Sequence, residues 1–196
     1  MGAALALGGD LEGQKAVVLA STSPQRRAIL EQLRIPFEVV APSYEEQGDD
    51  PVEDAAGKAR SVDGGEHPVL GVDTVVRCAG SVLGKPRTAE AAALMLAELS
   101  GREHEVVSGL CLRTRAWEEL GQAVTLVTFR TLTPRDIERS VALGEWEGRA
   151  GAYAIQGSGA TLAERIEGDY LNVVGLPAAL LVRLLAERLP GVYGFG

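Results

Sequence analysis

An aspartate inside an apolar run is the residue most in need of a reason. Asp73 sits in Leu70-Gly71-Val72-Asp73-Thr74-Val75-Val76, a run otherwise rich in β-branched aliphatic residues. A carboxylate placed there costs free energy unless a metal, a cation or a catalytic water compensates it. The alternative is an acid that only accepts nearby backbone N–H groups at a strand end. A turn at Ala79-Gly80-Ser81 leads to a second run, Val82-Leu83-Gly84-Lys85-Pro86, which ends on a lysine. Lysine is scarce in this chain: of 19 basic residues only Lys15, Lys58 and Lys85 are lysines.

A second group of residues suits an anion. Ala16-Val17-Val18-Leu19-Ala20 reads as a short buried strand, followed by Ser21-Thr22-Ser23-Pro24-Gln25-Arg26-Arg27. Ser23 is a good N-cap and Pro24 fits the first helical position, so a helix is expected from here to about Leu33. Its first turn carries two arginines and no acid, against the preference of the helix dipole. A phosphate held by free N–H groups, serine hydroxyls and guanidiniums would resolve that conflict; two solvated surface arginines are the other reading. Glu45 and Glu46 follow a strand over Phe37 to Ala41 and are of a type that holds divalent metals, as well as of a type common on surfaces. Gln156, in a glycine-rich stretch from Ala150 to Ala160, offers a donor and an acceptor to a base edge.

These side chains need a scaffold. The two apolar runs around Asp73 and Lys85 predict a β-hairpin. Gln47 to Asp54 reads as an acidic loop, and Ala55 to Val62 as a short helix bearing Lys58. Thr88 caps an amphipathic helix with Ala91, Leu94, Met95 and Leu99 on one face and Gly101 as its stop. Val106 to Arg113 and Ala123 to Leu132 read as antiparallel strands with a turn near Glu118 to Gly121. Thr133-Pro134 opens another helix, and an apolar helix ends near Leu189, packed on the sheet or at a subunit contact.

Composition narrows the class. A chain of 196 residues with 46% hydrophobic content suits one domain, with residues 1–14 as a flexible extension. A net charge of −8 and only nine aromatic residues argue against nucleic acid as a partner. No apolar run reaches the roughly 18 residues of a membrane span, and the start lacks a signal peptide's basic flank. Cys78 and Cys111 stand apart without metal-ligand spacing, which points to a reducing cytoplasm and no zinc site.

Six blocks together resemble the Maf family of nucleotide pyrophosphatases, first named as septum-formation inhibitors. They are Leu19 to Arg27, Gly71 to Val76, Leu83 to Pro86, Leu99 to Arg102, Ala150 to Gly157 and Val173 to Pro177, in that order. The resemblance implies an α/β fold: an elongated mixed sheet flanked by helices, two lobes around a central cleft, related to inosine triphosphate pyrophosphatase. It implies hydrolysis of a nucleoside triphosphate to the monophosphate and pyrophosphate with a divalent metal, Mg²⁺ or Mn²⁺, by a cytoplasmic homodimer. Nucleotide-pool sanitation and cell-division arrest are the implied cellular roles.

The resemblance also assigns residues. Asp73 matches the proton acceptor and Glu45 an acid linked to metal and catalysis, so both are candidate metal ligands. Lys85 joins them as a catalytic candidate, and Ser21, Arg26 and Lys58 match groups along the phosphate path. Thr74 and Gln156 match the dTTP/UTP-type pattern. Gln25 departs from it, standing where many such members have arginine and where members acting on 7-methyl-GTP tend to have tryptophan. The segment between Glu46 and Lys58 is several residues shorter than usual. A nucleotide-binding regulator of septum formation with little catalysis is the second reading; Asp73 within a full polar set favours the enzyme.

Overall fold

The computed structural model describes residues 16–48 and 50–195. The expected N-terminal extension and Lys15 lie outside the described residues. Seven strands form one mixed sheet. They are β1 (Val17–Leu19), β2 (Phe37–Val39), β3 (Val69–Cys78), β4 (Ser81–Leu83), β5 (Glu103–Arg113), β6 (Glu118–Phe129) and β7 (Ala163–Glu167). The order is β2-β1-β3-β5-β6-β7, with β4 also paired to β3. β1 runs parallel to β2 and β3, whereas the β3–β5, β5–β6, β6–β7 and β3–β4 pairs are antiparallel.

The expected hairpin is present as β3 and β4, closed by Ala79 and Gly80, both at positive φ. Helix α1 (Pro24–Gln32) begins where the sequence indicates, with the Ser23 hydroxyl accepting from Arg26 N. Four further helices are α3 (Ala89–Leu99), α4 (Pro134–Ala142), α5 (Tyr170–Val174) and α6 (Ala178–Arg188). No helix among the described residues is long and apolar enough to cross a membrane.

Three expectations need correction. Helix α2 runs over Pro51–Arg60, four residues earlier than Ala55, because the Asp50 carboxylate caps Val52 and Glu53 N–H and Pro51 takes the first turn. Gly57, a poor helix former, is needed within it, since the ring of Tyr44 occupies the place a Cβ would take. In α3 the buried face is Ala92, Leu96 and Leu99, while Leu94 is 73% exposed. Glu118 to Gly121 belongs to β6, and the β5–β6 turn falls at Thr114 to Trp117.

Strand alternation divides the interior into two cores. Leu70, Val72, Val76, Leu110 and Leu112 face a large core shared with Ile29, Leu30, Leu96, Leu181 and Leu185. The opposite face is covered by α2, where Ala55, Ala56 and Ala59 meet Val69, Ala20 and Cys111. That helix lies unusually close to the sheet. A Cβ on Gly71 would overlap Ala55 O, and one on Gly109 would overlap Pro51 O. Glycine inside a strand here marks contact of main chain with main chain.

His104 is buried in the large core, with Nε2 3.0 Å from Tyr153 Oη and its ring edge-on to Phe129. Burial lowers its pKa from 6.5 to about 4. The unfolded chain therefore binds the proton more readily than the folded one. Stability from this residue is complete above about pH 6.5 and falls as pH drops toward 4, by up to about 3 kcal/mol. Urea unfolding across this window should show that slope in the wild type and a flatter profile in His104→Gln. Parallel profiles would show that His104 is not held neutral.

Candidate active site

The sheet forks at β3. β5 occupies one edge of β3 along nearly its whole length. The other edge is shared: β1 pairs with Val69 and Leu70, and β4 with Val76 to Cys78. Between them the middle of β3 carries no strand on that side. A cavity of about 350 Å³ opens there, bounded by the turn after β1 and by the start of α1. The end of a parallel strand beside a break in the sheet is a usual place for a ligand. At an unpaired edge both faces of the strand are reachable, so Asp73 and Thr74 line the same cavity although they alternate.

An ion cluster occupies the α2 side. Lys58 is 4% exposed, and its Nζ lies 2.6 Å from Asp73 Oδ1 and 2.6 Å from Glu46 Oε1. Lys85, on the solvent side, reaches Glu46 Oε2 at 3.3 Å. The close seat of α2 on Gly71 and Gly109 brings Lys58 within reach of Asp73. The acidic loop is fixed from the same helix. Asp54 accepts from Gln47 N–H and Gly48 N–H, each at 2.9 Å, and from Tyr44 Oη at 3.1 Å. Partial burial alone would raise the Glu46 carboxyl, but the Lys58 and Lys85 ammoniums outweigh it and hold its pKa at about 2. Glu46 is thus a carboxylate near neutral pH. Among the described residues nothing donates to Asp73 Oδ2.

Arg26 builds the other wall. Its side chain is buried and gives three of its five N–H donors to the protein: Nε to Gly175 O at 2.9 Å, Nη1 to Ser21 Oγ at 3.0 Å, Nη2 to Thr74 Oγ1 at 3.3 Å. One guanidinium thus ties α1, β3 and the end of α5 together. Arg27 is exposed on the outer side of α1.

The structure brings together Ser21, Gln25, Arg26, Lys58, Asp73, Thr74 and Lys85 around the cavity. Gln156 lies apart, in a side pocket of about 20 Å³ bordered by Arg149 and Tyr153, which also line the main cavity. Glu45 does not line the cavity; it is exposed, and its neighbour Glu46 turns inward to the two lysines. Sequence reading passed over Arg149, whose Nε donates to Glu145 O at 3.0 Å. No spacing marks it out among 16 arginines.

Among the described residues no three acids, histidines or cysteines gather as a metal cage. Asp73 and Glu46 are nevertheless a fitting pair of oxygen donors, because Mg²⁺ takes one or two carboxylates and completes its shell with phosphate oxygens and water. Removing Lys58 would strand Asp73 as a buried charge. Lys58→Met should therefore lower stability by about 3–5 kcal/mol, while Lys85→Met, on an exposed pair, should lower it by about 1 kcal/mol or less. Denaturant unfolding at neutral pH measures both, and equal losses would show that the buried pair contributes no more than the exposed one.

The model of the family described as Maf-like protein matches residues 16–188. A dTTP/UTP pyrophosphatase of Moorella thermoacetica is 48% identical over 189 residues, covering 91% of this chain and 97% of the relative. One from Deinococcus radiodurans is 43% identical, covering 92% and 95%. Among solved structures, a HAM1 protein from Coxiella burnetii shares the fold at a TM-score of 0.53 and 19% identity, covering 88% of this chain and 99% of that one. With the family match spanning every element that builds the cavity, the chain belongs to the Maf-like protein family.

Proposed function

We propose that this chain is a nucleoside triphosphate pyrophosphatase that prefers dTTP and UTP. The observation that carries it is Asp73, 5% exposed, with one oxygen on Lys58 and the other without a donor among the described residues, inside a cation-lined cavity. In this reading water attacks a phosphoryl group, the α–β anhydride bond breaks, and the nucleoside monophosphate and pyrophosphate leave. Asp73 accepts the proton of the attacking water through its free oxygen. Lys58, Lys85 and Arg26 meet the negative charge on the phosphoryl oxygens, where fixed cations act most strongly. Mg²⁺ or Mn²⁺ would be held by Asp73 and Glu46 and would add charge neutralisation at the phosphate oxygens. Glu46 therefore takes the acid's part that resemblance gave to Glu45.

Thr74 and Gln156, together with the names of the relatives, support the base preference. Gln156 edges a pocket whose size suits about one buried oxygen or water, a scale that fits a keto group. Gln25 lines the cavity in a place where a shorter neutral side chain leaves phosphate binding to Arg26. The buried free thiols of Cys78 and Cys111 agree with a reducing cytoplasm. The homodimer implied by family resemblance is part of the proposal.

Incubated with Mg²⁺ or Mn²⁺ and a panel of triphosphates, the protein should release pyrophosphate, fastest from dTTP and UTP and more slowly from 7-methyl-GTP. Orthophosphate as the sole inorganic product would overturn the reaction, and preference for the methylated purine would overturn the base assignment. Asp73→Asn keeps size but removes charge and basicity. It should retain nucleotide binding and lose about 10²-fold or more in turnover. A folded variant with near-normal turnover would leave the mechanism without its base.

A further inference from the structure

Ser108 lies opposite Thr74 in the β3–β5 register and is fully buried beneath the cavity wall. Its Oγ is 2.9 Å from Thr74 Oγ1, and either atom could donate. The choice is settled by counting donors and acceptors. A hydroxyl donates one hydrogen and accepts two. Arg26 Nη2 already fills one acceptor position on Thr74, at 3.3 Å. Among the described residues, Ser108 Oγ has no partner other than Thr74. If Thr74 donated to Ser108, the Ser108 hydrogen would be buried without an acceptor, which native interiors avoid. If Ser108 donates to Thr74, every buried group is satisfied. Both lone pairs of Thr74 are then used, and its own hydrogen is the one left over. Thr74 is part-exposed in the cavity wall, so that hydrogen is available to a ligand.

We infer that Ser108 is a positioning residue that fixes Thr74 as a hydrogen-bond donor into the cavity, addressed to an acceptor oxygen of the bound nucleotide. The inference rests on the nucleotide reading of this site and adds a polarity to it. Arg26 and Ser108 saturate Thr74 from one side, so the residue selects an acceptor and disfavours a donor at that point. A keto oxygen of uracil or thymine meets the requirement, as does a sugar or phosphate oxygen; the amino group of cytosine does not.

A double-mutant cycle tests this. Ser108→Ala should lower kcat/KM for UTP about five- to tenfold with a near-normal melting temperature, and Ser108→Thr, which keeps the hydroxyl, should stay within about twofold of wild type. In a Thr74→Val background the same Ser108→Ala change should alter kcat/KM less than about twofold, because its route of action is gone. Loss confined to UTP and dTTP, with CTP unaffected, places the acceptor at the C4 keto oxygen of the base; equal loss for all places it on sugar, phosphate or the C2 keto oxygen that the three bases share. Wild-type kcat/KM in Ser108→Ala, or an equal loss in both backgrounds, would overturn the inference. Should Ser108→Ala fold poorly, Ser108→Cys, a weak donor of similar size, should fall between wild type and Thr74→Val. The cycle is also read by calorimetric affinity for a non-hydrolysable UTP analogue. Binding that follows the cycle without any wild-type turnover would sink the hydrolase reading and leave this one standing.

Discussion

Lys58 shares its ammonium between two carboxylates, one buried in a strand and one on a loop, and the arrangement of the whole cavity depends on it. Such a cluster is costly to bury, because water must be stripped from Lys58 and Asp73 and in part from Glu46 before their attraction is recovered. Hydrophobic side chains at these positions would serve the fold at least as well. The chain instead commits a helix, a capping aspartate and two strand glycines to holding one lysine beside Asp73. The expense makes sense as a site whose charges are set before any phosphate arrives.

The opposite wall is rigid for a different reason. Arg26 is a cation that presents little of itself to solvent, and Gly175, Ser21 and Thr74 take three of its five donors. Its charge still reaches the cavity, while its hydrogen bonds brace three elements of the fold. The two walls are therefore complementary: one is an ion cluster hung from α2, the other a neutral hydrogen-bond lattice around a guanidinium. Asp73 and Thr74, adjacent in sequence, belong one to each. In the proposed reading, chemistry and ligand recognition sit on opposite faces of a single strand.

Much of this was legible in the residues. An acid in an apolar strand, a serine-capped helix start with two arginines, and three rare lysines drew notice to Asp73, to the Ser21 to Arg27 stretch and to the lysines, and the family resemblance singled out Ser21, Arg26, Lys58 and Lys85 among them. The hairpin and the α1 boundary followed from turn and cap chemistry that is local. What stayed hidden was set by tertiary contact. Choosing between Glu45 and Glu46 requires knowing which way the loop turns, and that is decided by Asp54 on α2. The early start of α2 was announced by Asp50-Pro51, but acidic residues and Gly57 masked it. Leu94 looked like core by periodicity, yet α3 presents Ala92, Leu96 and Leu99 inward. Ser108 gave no signal, since a serine in a strand is ordinary until its partner is known.

The seat of α2 on Gly71 and Gly109 has a consequence for how this protein can vary. Side chains in the small core can trade volume with one another, because rotamers absorb small changes. Main chain against main chain has no such slack. These two glycines act as a fixed stop that sets the height of the helix over the sheet, and with it the reach of Lys58. The thiol, valines and alanines around them are free to drift, whereas a single methyl group at either stop would raise the helix and part the lysine from its aspartate. The charge geometry of the cavity is in this sense recorded in the absence of two side chains.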